Sequence, residues 1–261
     1  MSSGSLGLVS VTFRALSPQG VIAAAVAAGL SGIEWGGDVH VPHGDLAAAR
    51  EVRRRTEDAG LAVVSYGSYY KAGVQAVPQA GPRFEDVLET AVALGAPGIR
   101  VWAGTRGSAD CPPAERRAVA DDLARIVGLA RCAGIRVSLE FHGGTLTDTA
   151  ASAVSLMHET GNPTPSLYWQ PPTDWTVEEN LADLSAVSPF LSNLHVFHWS
   201  GLERRPLAEG AAEWTRYLDC ARRSGFAGWL LFEFVREDSP DQLVRDAAAL
   251  RRVCEAAGIR A

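Results

Sequence analysis

Lysine is almost missing from this chain. Lys71 is the only one, although lysine and arginine together number 24 among 261 residues. A Schiff-base lysine is therefore excluded everywhere except position 71. The four cysteines, Cys111, Cys132, Cys220 and Cys254, form no CxxC pair. That argues against a zinc knuckle or a dithiol redox motif and suits thiols in a reducing compartment. The longest apolar stretch, around Val21 to Leu30, is too short to span a bilayer. No basic segment leads into an apolar core at the start, so a leader is not expected, and the protein is expected to be soluble and cytoplasmic. No block of basic residues occurs, and the net charge is −6. Nucleic acid and anionic membrane surfaces are thus not expected as partners.

What is present is an alternation. Eight short apolar runs, Leu8–Phe13, Gly32–Gly36, Ala62–Tyr69, Gly98–Gly104, Arg136–His142, Ser166–Pro171, Asn193–Trp199 and Gly228–Val235, are separated by helical patterns. Those patterns cover Pro18–Ala28, Asp45–Ala59, Phe84–Leu94, Pro112–Ala133, Ala150–Glu159, Val177–Val187, Ala212–Ser224 and Pro240–Ala257. Gly29, Gly60, Gly95, Gly134, Gly225 and Gly258 each follow a helical pattern, where a left-handed cap is expected. Ser17-Pro18 and Ser239-Pro240 read as helix N-caps with proline in the first turn. Eight βα units without a composition break predict an α/β fold, a single (β/α)8 barrel domain over residues 1–261. An open doubly wound sheet is disfavoured, since no G-x-G-x-x-G follows the first strand.

Strand parity then sorts side chains. Val137, Leu139 and Phe141 should face the helices, sending Ser138, Glu140 and His142 into the barrel. Leu194 and Val196 outward put His195 and Phe197 inward; Leu230, Phe232 and Phe234 outward put Glu233 inward; Ile99 and Val101 outward put Arg100 and Trp102 inward. Glu140, His195 and Glu233 therefore converge near the C-terminal strand ends, where such barrels place their sites. Charge on the axis is costly unless paired or bound to metal. Two carboxylates, an imidazole and one more oxygen suit a single divalent Mn, Mg, Co or Zn ion. Pairing of an inward glutamate with Arg100 or Arg136, for stability alone, is the alternative.

The order of these strands resembles the xylose isomerase-like barrels of the sugar phosphate isomerase/epimerase family. The matching stretches are Gly32-Ile33-Glu34-Trp35, Leu139-Glu140-Phe141-His142-Gly143-Gly144, Leu194-His195-Val196-Phe197-His198 and Leu231-Phe232-Glu233. The resemblance implies metal ligands Glu, Asp, His and Glu from strands five to eight. Glu140, His195 and Glu233 match, whereas Gln170 stands where the family has aspartate. His198 is an alternative to His195. The implied activity is proton transfer next to a carbonyl through an enediolate, with Glu140 and Glu233 as acid and base. Substrate-binding candidates are Glu34, His40, Arg100, Trp102, His142 and Arg204. Trp35, Trp102, Trp169, Trp175 and Trp199 are candidates for aromatic walls. The expected partner is a small carbohydrate, and a homo-oligomer is left open. Rival readings are a dehydratase of the inosose or shikimate type, a sugar-binding barrel without turnover, and a DNA-repair endonuclease. The last fits an acidic chain with six histidines poorly.

Overall fold

The structure, a computed structural model, describes residues 5–74 and 81–260. Eight parallel strands close into a barrel: β1 (Ser5–Val9), β2 (Gly32–Gly36), β3 (Ala62–Lys71), β4 (Gly98–Trp102), β5 (Arg136–Glu140), β6 (Ser166–Trp169), β7 (Leu191–Val196) and β10 (Trp229–Phe232). Each strand pairs with its sequence neighbour in the barrel, and β10 closes the ring on β1, with Leu8 opposite Phe232. A small hairpin, β8 (Trp199–Ser200) with β9 (Glu203–Arg204), stands after β7. Eight helices alternate with the barrel strands: α1 (Pro18–Ala27), α2 (Leu46–Asp58), α3 (Phe84–Leu94), α4 (Pro113–Cys132), α5 (Ala150–Thr160), α6 (Val177–Val187), α7 (Ala211–Arg223) and α8 (Pro240–Ala256). No helix among the described residues is long and apolar enough to cross a membrane.

The local signals behave as their chemistry requires. Ser17 and Ser239 accept from the backbone N–H of Gly20 and Gln242, and all six helix-end glycines have positive φ. Outward strand residues such as Ile99, Leu139, Leu194 and Leu230 join the core between sheet and helices. A second, smaller apolar group, Val9, Val11, Val64, Tyr168 and Leu231, forms the other buried cluster. Tyr168 and Leu231 neighbour Glu140 and His195 in the strand registers, so this group plugs the barrel interior and gives the polar cluster a dry floor.

Most strand boundaries depart from expectation, by about two residues in β3 to β6 and by more at the first, seventh and eighth barrel strands. The first strand is Ser5–Val9, and Ser10–Phe13 is a single tight helical turn rather than strand. Its hydroxyls explain the turn: Ser10 Oγ accepts from Gly36 N–H, and Thr12 Oγ1 donates to Phe232 O while accepting from Phe234 N–H. These side chains replace the ladder bonds that a longer β1 would have made. The seventh strand ends at Val196 and the eighth at Phe232. Phe234, expected outward by parity, has φ of 58° and instead lines the central cavity.

At the opposite end of the barrel, Gly228 passes so close to β7 that a Cβ would lie 1.6 Å from Ser192 O. Gly228→Ala must therefore push β10 off register. It should cost about 3 kcal/mol, the upper range for overpacking, as read by urea denaturation. A loss below about 1 kcal/mol would contradict this close approach.

Candidate metal and substrate site

The site grows from a buried ion-pair chain on the barrel axis. Arg100, in the middle of β4, is 2% exposed. Its Nε donates to Glu34 Oε1 at 2.8 Å, and its Nη1 donates to Glu140 Oε2. Glu34, fully buried on β2, also accepts from Ser65 Oγ on β3. Gly67 leaves room for this pair, since a Cβ there would lie 2.9 Å from both Arg100 Nη2 and Glu34 Oε1. Burial alone would lower the Arg100 pKa, but Glu140, Glu34 and Glu233 outweigh it and hold the guanidinium firmly charged.

Above this chain, four donor atoms converge. His195 Nδ1 on β7 lies 3.0 Å from Gln170 Oε1, 3.3 Å from Glu233 Oε2 and 3.6 Å from Glu140 Oε1. The ligand atoms of Glu140, His195 and Glu233 all lie within 4.8 Å of one another, and all three residues are buried. One ring N–H cannot satisfy three oxygens in so dry a place. Burial would lower the His195 pKa, yet Glu233 and Glu140 outweigh it and raise it above the usual 6.5. Burial would raise the Glu233 pKa, and His195 and Arg100 overcome that in turn and lower it. A cation is therefore what this cluster calls for. Glu34, Glu140 and Glu233 against Arg100, with neutral imidazole, leave two negative charges, which one divalent ion would neutralise. The donor set, two carboxylates, an imidazole and an amide oxygen, fits such an ion.

While His195 is fully buried, Glu140, Gln170 and Glu233 of this cluster line a cavity of about 690 Å3 at the C-terminal strand ends. Trp102 stands at its side and donates through Nε1 to Glu140 Oε2 at 2.6 Å. His142 stacks on Trp102 with ring centres 4.9 Å apart, and its Nδ1 lies 2.6 Å from Gly143 O, which leaves Nε2 as the other ring donor or acceptor. Trp175, Phe197, Trp199 and Phe234 complete an aromatic wall. Trp35 and Trp169 lie in the core instead.

Several expected contacts lie elsewhere. Glu34 sits beneath the cavity as the partner of Arg100. His40 is 4% exposed, and its ring nitrogens meet Ser10 Oγ and Leu16 O, each at 3.0 Å. It braces the turn after β1 and is absent from the cavity lining. Arg204 pairs with Asp238 and stacks at 4.8 Å over Phe234, behind the wall. His198 points to the other side of β7, with Nδ1 3.9 Å from Glu213 Oε2, so His195 alone of the two joins the cluster. The anticipated pairing of an inward glutamate with Arg100 also occurs, alongside the ligand geometry rather than instead of it.

Arg14 and Tyr69 line the cavity without having been singled out from sequence. Arg14 Nε donates to Asp38 at 2.8 Å, and its Nη2 donates to Tyr69 OH at 2.7 Å. Burial pushes the Tyr69 phenol up to about 12, so it stays protonated at neutral pH.

A family model for the xylose isomerase-like TIM barrel matches residues 22–253, and the chain belongs to this family. Among curated proteins none matches the sequence. Solved structures share the fold. The probable 3-DHS dehydratase AsbF of Bacillus anthracis superposes with a TM-score of 0.78 at 20% identity, covering 94% of this chain and 98% of that one. An L-ribulose 3-epimerase gives 0.71 at 19%, covering 98% and 96%. A xylose isomerase-like barrel protein of Mycobacterium smegmatis, in complex with magnesium, gives 0.73 at 16%, covering 98% and 99%.

The buried pair makes a stability prediction. Glu34→Ala strips Arg100 of one of its two carboxylates without touching the cavity lining. Stability in urea should fall by about 3–5 kcal/mol, as expected when one partner of a buried ion pair is removed. A change below about 1 kcal/mol would show that Arg100 does not depend on Glu34.

Proposed function

We propose that this protein is a divalent-metal-dependent isomerase or epimerase that moves a proton on the carbon next to the carbonyl of a ketose. The observation that carries the reading is the convergence of Glu140 Oε1, Gln170 Oε1, His195 Nδ1 and Glu233 Oε2 under one aromatic-walled cavity. An ion held by these atoms would act as a Lewis acid toward the substrate oxygens.

The chain's own groups supply the rest. Trp102, Trp175 and Trp199 offer flat faces to the C–H side of a sugar, and His142 offers a ring nitrogen to a hydroxyl. A carboxylate of the cluster stands beside the position where a carbon acid would lie and can take and return its proton. The plug of apolar residues keeps water from below. Both guanidinium groups that line the cavity, Arg14 and Arg100, already have carboxylate partners. This favours a neutral ketose over its phosphate.

In deuterated water, protein loaded with Mn2+ should wash deuterium into the carbon next to the carbonyl of at least one of fructose, tagatose, xylulose and ribulose. EDTA should stop the exchange and Mn2+ should restore it. Exchange that survives EDTA, or none across neutral and phosphorylated ketoses, would refute the reading.

Gln170 supplies a second check. Gln170→Asp replaces the amide, whose Oε1 lies 3.0 Å from His195 Nδ1, with a full negative charge on a side chain one methylene shorter. Mn2+ binding, followed by calorimetric titration, should tighten at least about tenfold in so weakly screened a place. Unchanged binding would place residue 170 outside the ligand set.

A further inference from the structure

The two carboxylates of the cluster are not equivalent. Glu140 Oε2 is bonded twice, by Arg100 Nη1 and by Trp102 Nε1. Its Oε1 faces His195 Nδ1 at 3.6 Å. Glu233 turns Oε2 toward the same nitrogen at 3.3 Å. Among the described residues no hydrogen bond joins Glu233 Oε1 to a donor, and the Glu233 side chain, 7% exposed, lines the cavity. The two oxygens that face His195 are the ones an ion between these residues would take. Once they are committed, Glu140 has both oxygens spent, and Glu233 keeps one.

We propose that Arg100 is a positioning residue that confines Glu140 to ligation, and that Glu233 alone of the two moves the substrate proton. The proposal rests on the metal-dependent reading above. Glu233 Oε1 takes a proton from C1 of the ketose. The C–H electron pair becomes the carbon–carbon double bond of an enediolate, and the carbonyl pair moves to the C2 oxygen. The same carboxyl then returns the proton to C2 while the hydroxyl proton of C1 passes to the C2 oxygen, giving the aldose. One carboxyl works along the face on which it sits. Inversion at a single carbon would need a second carrier on the opposite face, and Glu140 is not free to be one. The expected reaction is therefore a shift between neighbouring carbons.

The geometry makes an asymmetric forecast for Mn2+ alone. In Glu140→Gln, the amide must either turn its NH2 toward the N–H groups of Arg100 and Trp102 or present that NH2 to the metal. Either choice fails, because two donors cannot pair and an amide nitrogen is no ligand. In Glu233→Gln, the amide oxygen can occupy the Oε2 position while NH2 points into the cavity and meets no donor.

Calorimetric Mn2+ titration should therefore show affinity falling more than about 100-fold in Glu140→Gln and by less than about tenfold in Glu233→Gln, against the 10–100-fold typical of disturbed ligand support. Mn2+-loaded Glu233→Gln should show no deuterium exchange, and wild type should turn a ketose into an aldose. Equal affinity losses, exchange by loaded Glu233→Gln, or an epimeric ketose as product would each overturn the proposal. If Glu140→Gln does not fold, loaded Glu233→Gln still decides through its exchange. Wild type that binds Mn2+ yet exchanges no ketose would refute the catalytic reading itself, and with it the role given to Glu233. The affinity asymmetry would still decide the role of Arg100.

Discussion

A guanidinium buried on the barrel axis organises this barrel. Arg100 must keep its charge, and inside the barrel it can do so only against carboxylates. Glu34 from β2 and Glu140 from β5 supply them, so one side chain of β4 ties together strands on either side of it. That tie fixes the rotamer of Glu140, which in turn fixes where its second oxygen points. His195 and Glu233 then complete a cluster whose excess negative charge suits one divalent ion. The apolar plug beneath and the aromatic wall above keep the dielectric low, which strengthens every one of these interactions.

Gln170 fits this balance. An aspartate at that position would add a third negative charge to the two that the cluster carries around neutral imidazole. With glutamine, one divalent ion would bring the cluster to neutrality, and the proposed ligand at that corner is a neutral carbonyl oxygen. On the proposed metal reading, weaker retention of the ion and a less negative floor would both follow. With the two lining cations already paired, the proposed substrate is a neutral polyhydroxy compound rather than an anion.

Much of this is legible in the sequence because a strand is periodic. Alternation along β4, β5, β7 and the eighth barrel strand, with helix-end glycines to mark the boundaries, places Arg100, Trp102, Glu140, His195 and Glu233 on the axis. Parity stops where strands stop. Phe234 comes after β10 and adopts a left-handed conformation that turns its ring into the cavity. Tyr69 also has positive φ, near the end of β3. Arg14 follows a turn whose shape depends on hydroxyl bonds from Ser10 and Thr12 to distant strands. Glu34 and His40 show the converse limit. Pattern places a polar residue near the mouth, but only the three-dimensional partners show that Glu34 is consumed by Arg100 and His40 by Ser10 and Leu16.

The central claim is that the axis cluster is a cation site with Arg100 as its fixed counter-charge. Anomalous diffraction at the manganese edge, from crystals soaked in Mn2+, tests it most directly. The account predicts one strong peak bounded by Glu140 Oε1, Gln170 Oε1, His195 Nδ1 and Glu233 Oε2, with Arg100 still bonded to Glu140 Oε2. A peak elsewhere, or none at Mn2+ concentrations that saturate binding in solution, would contradict it.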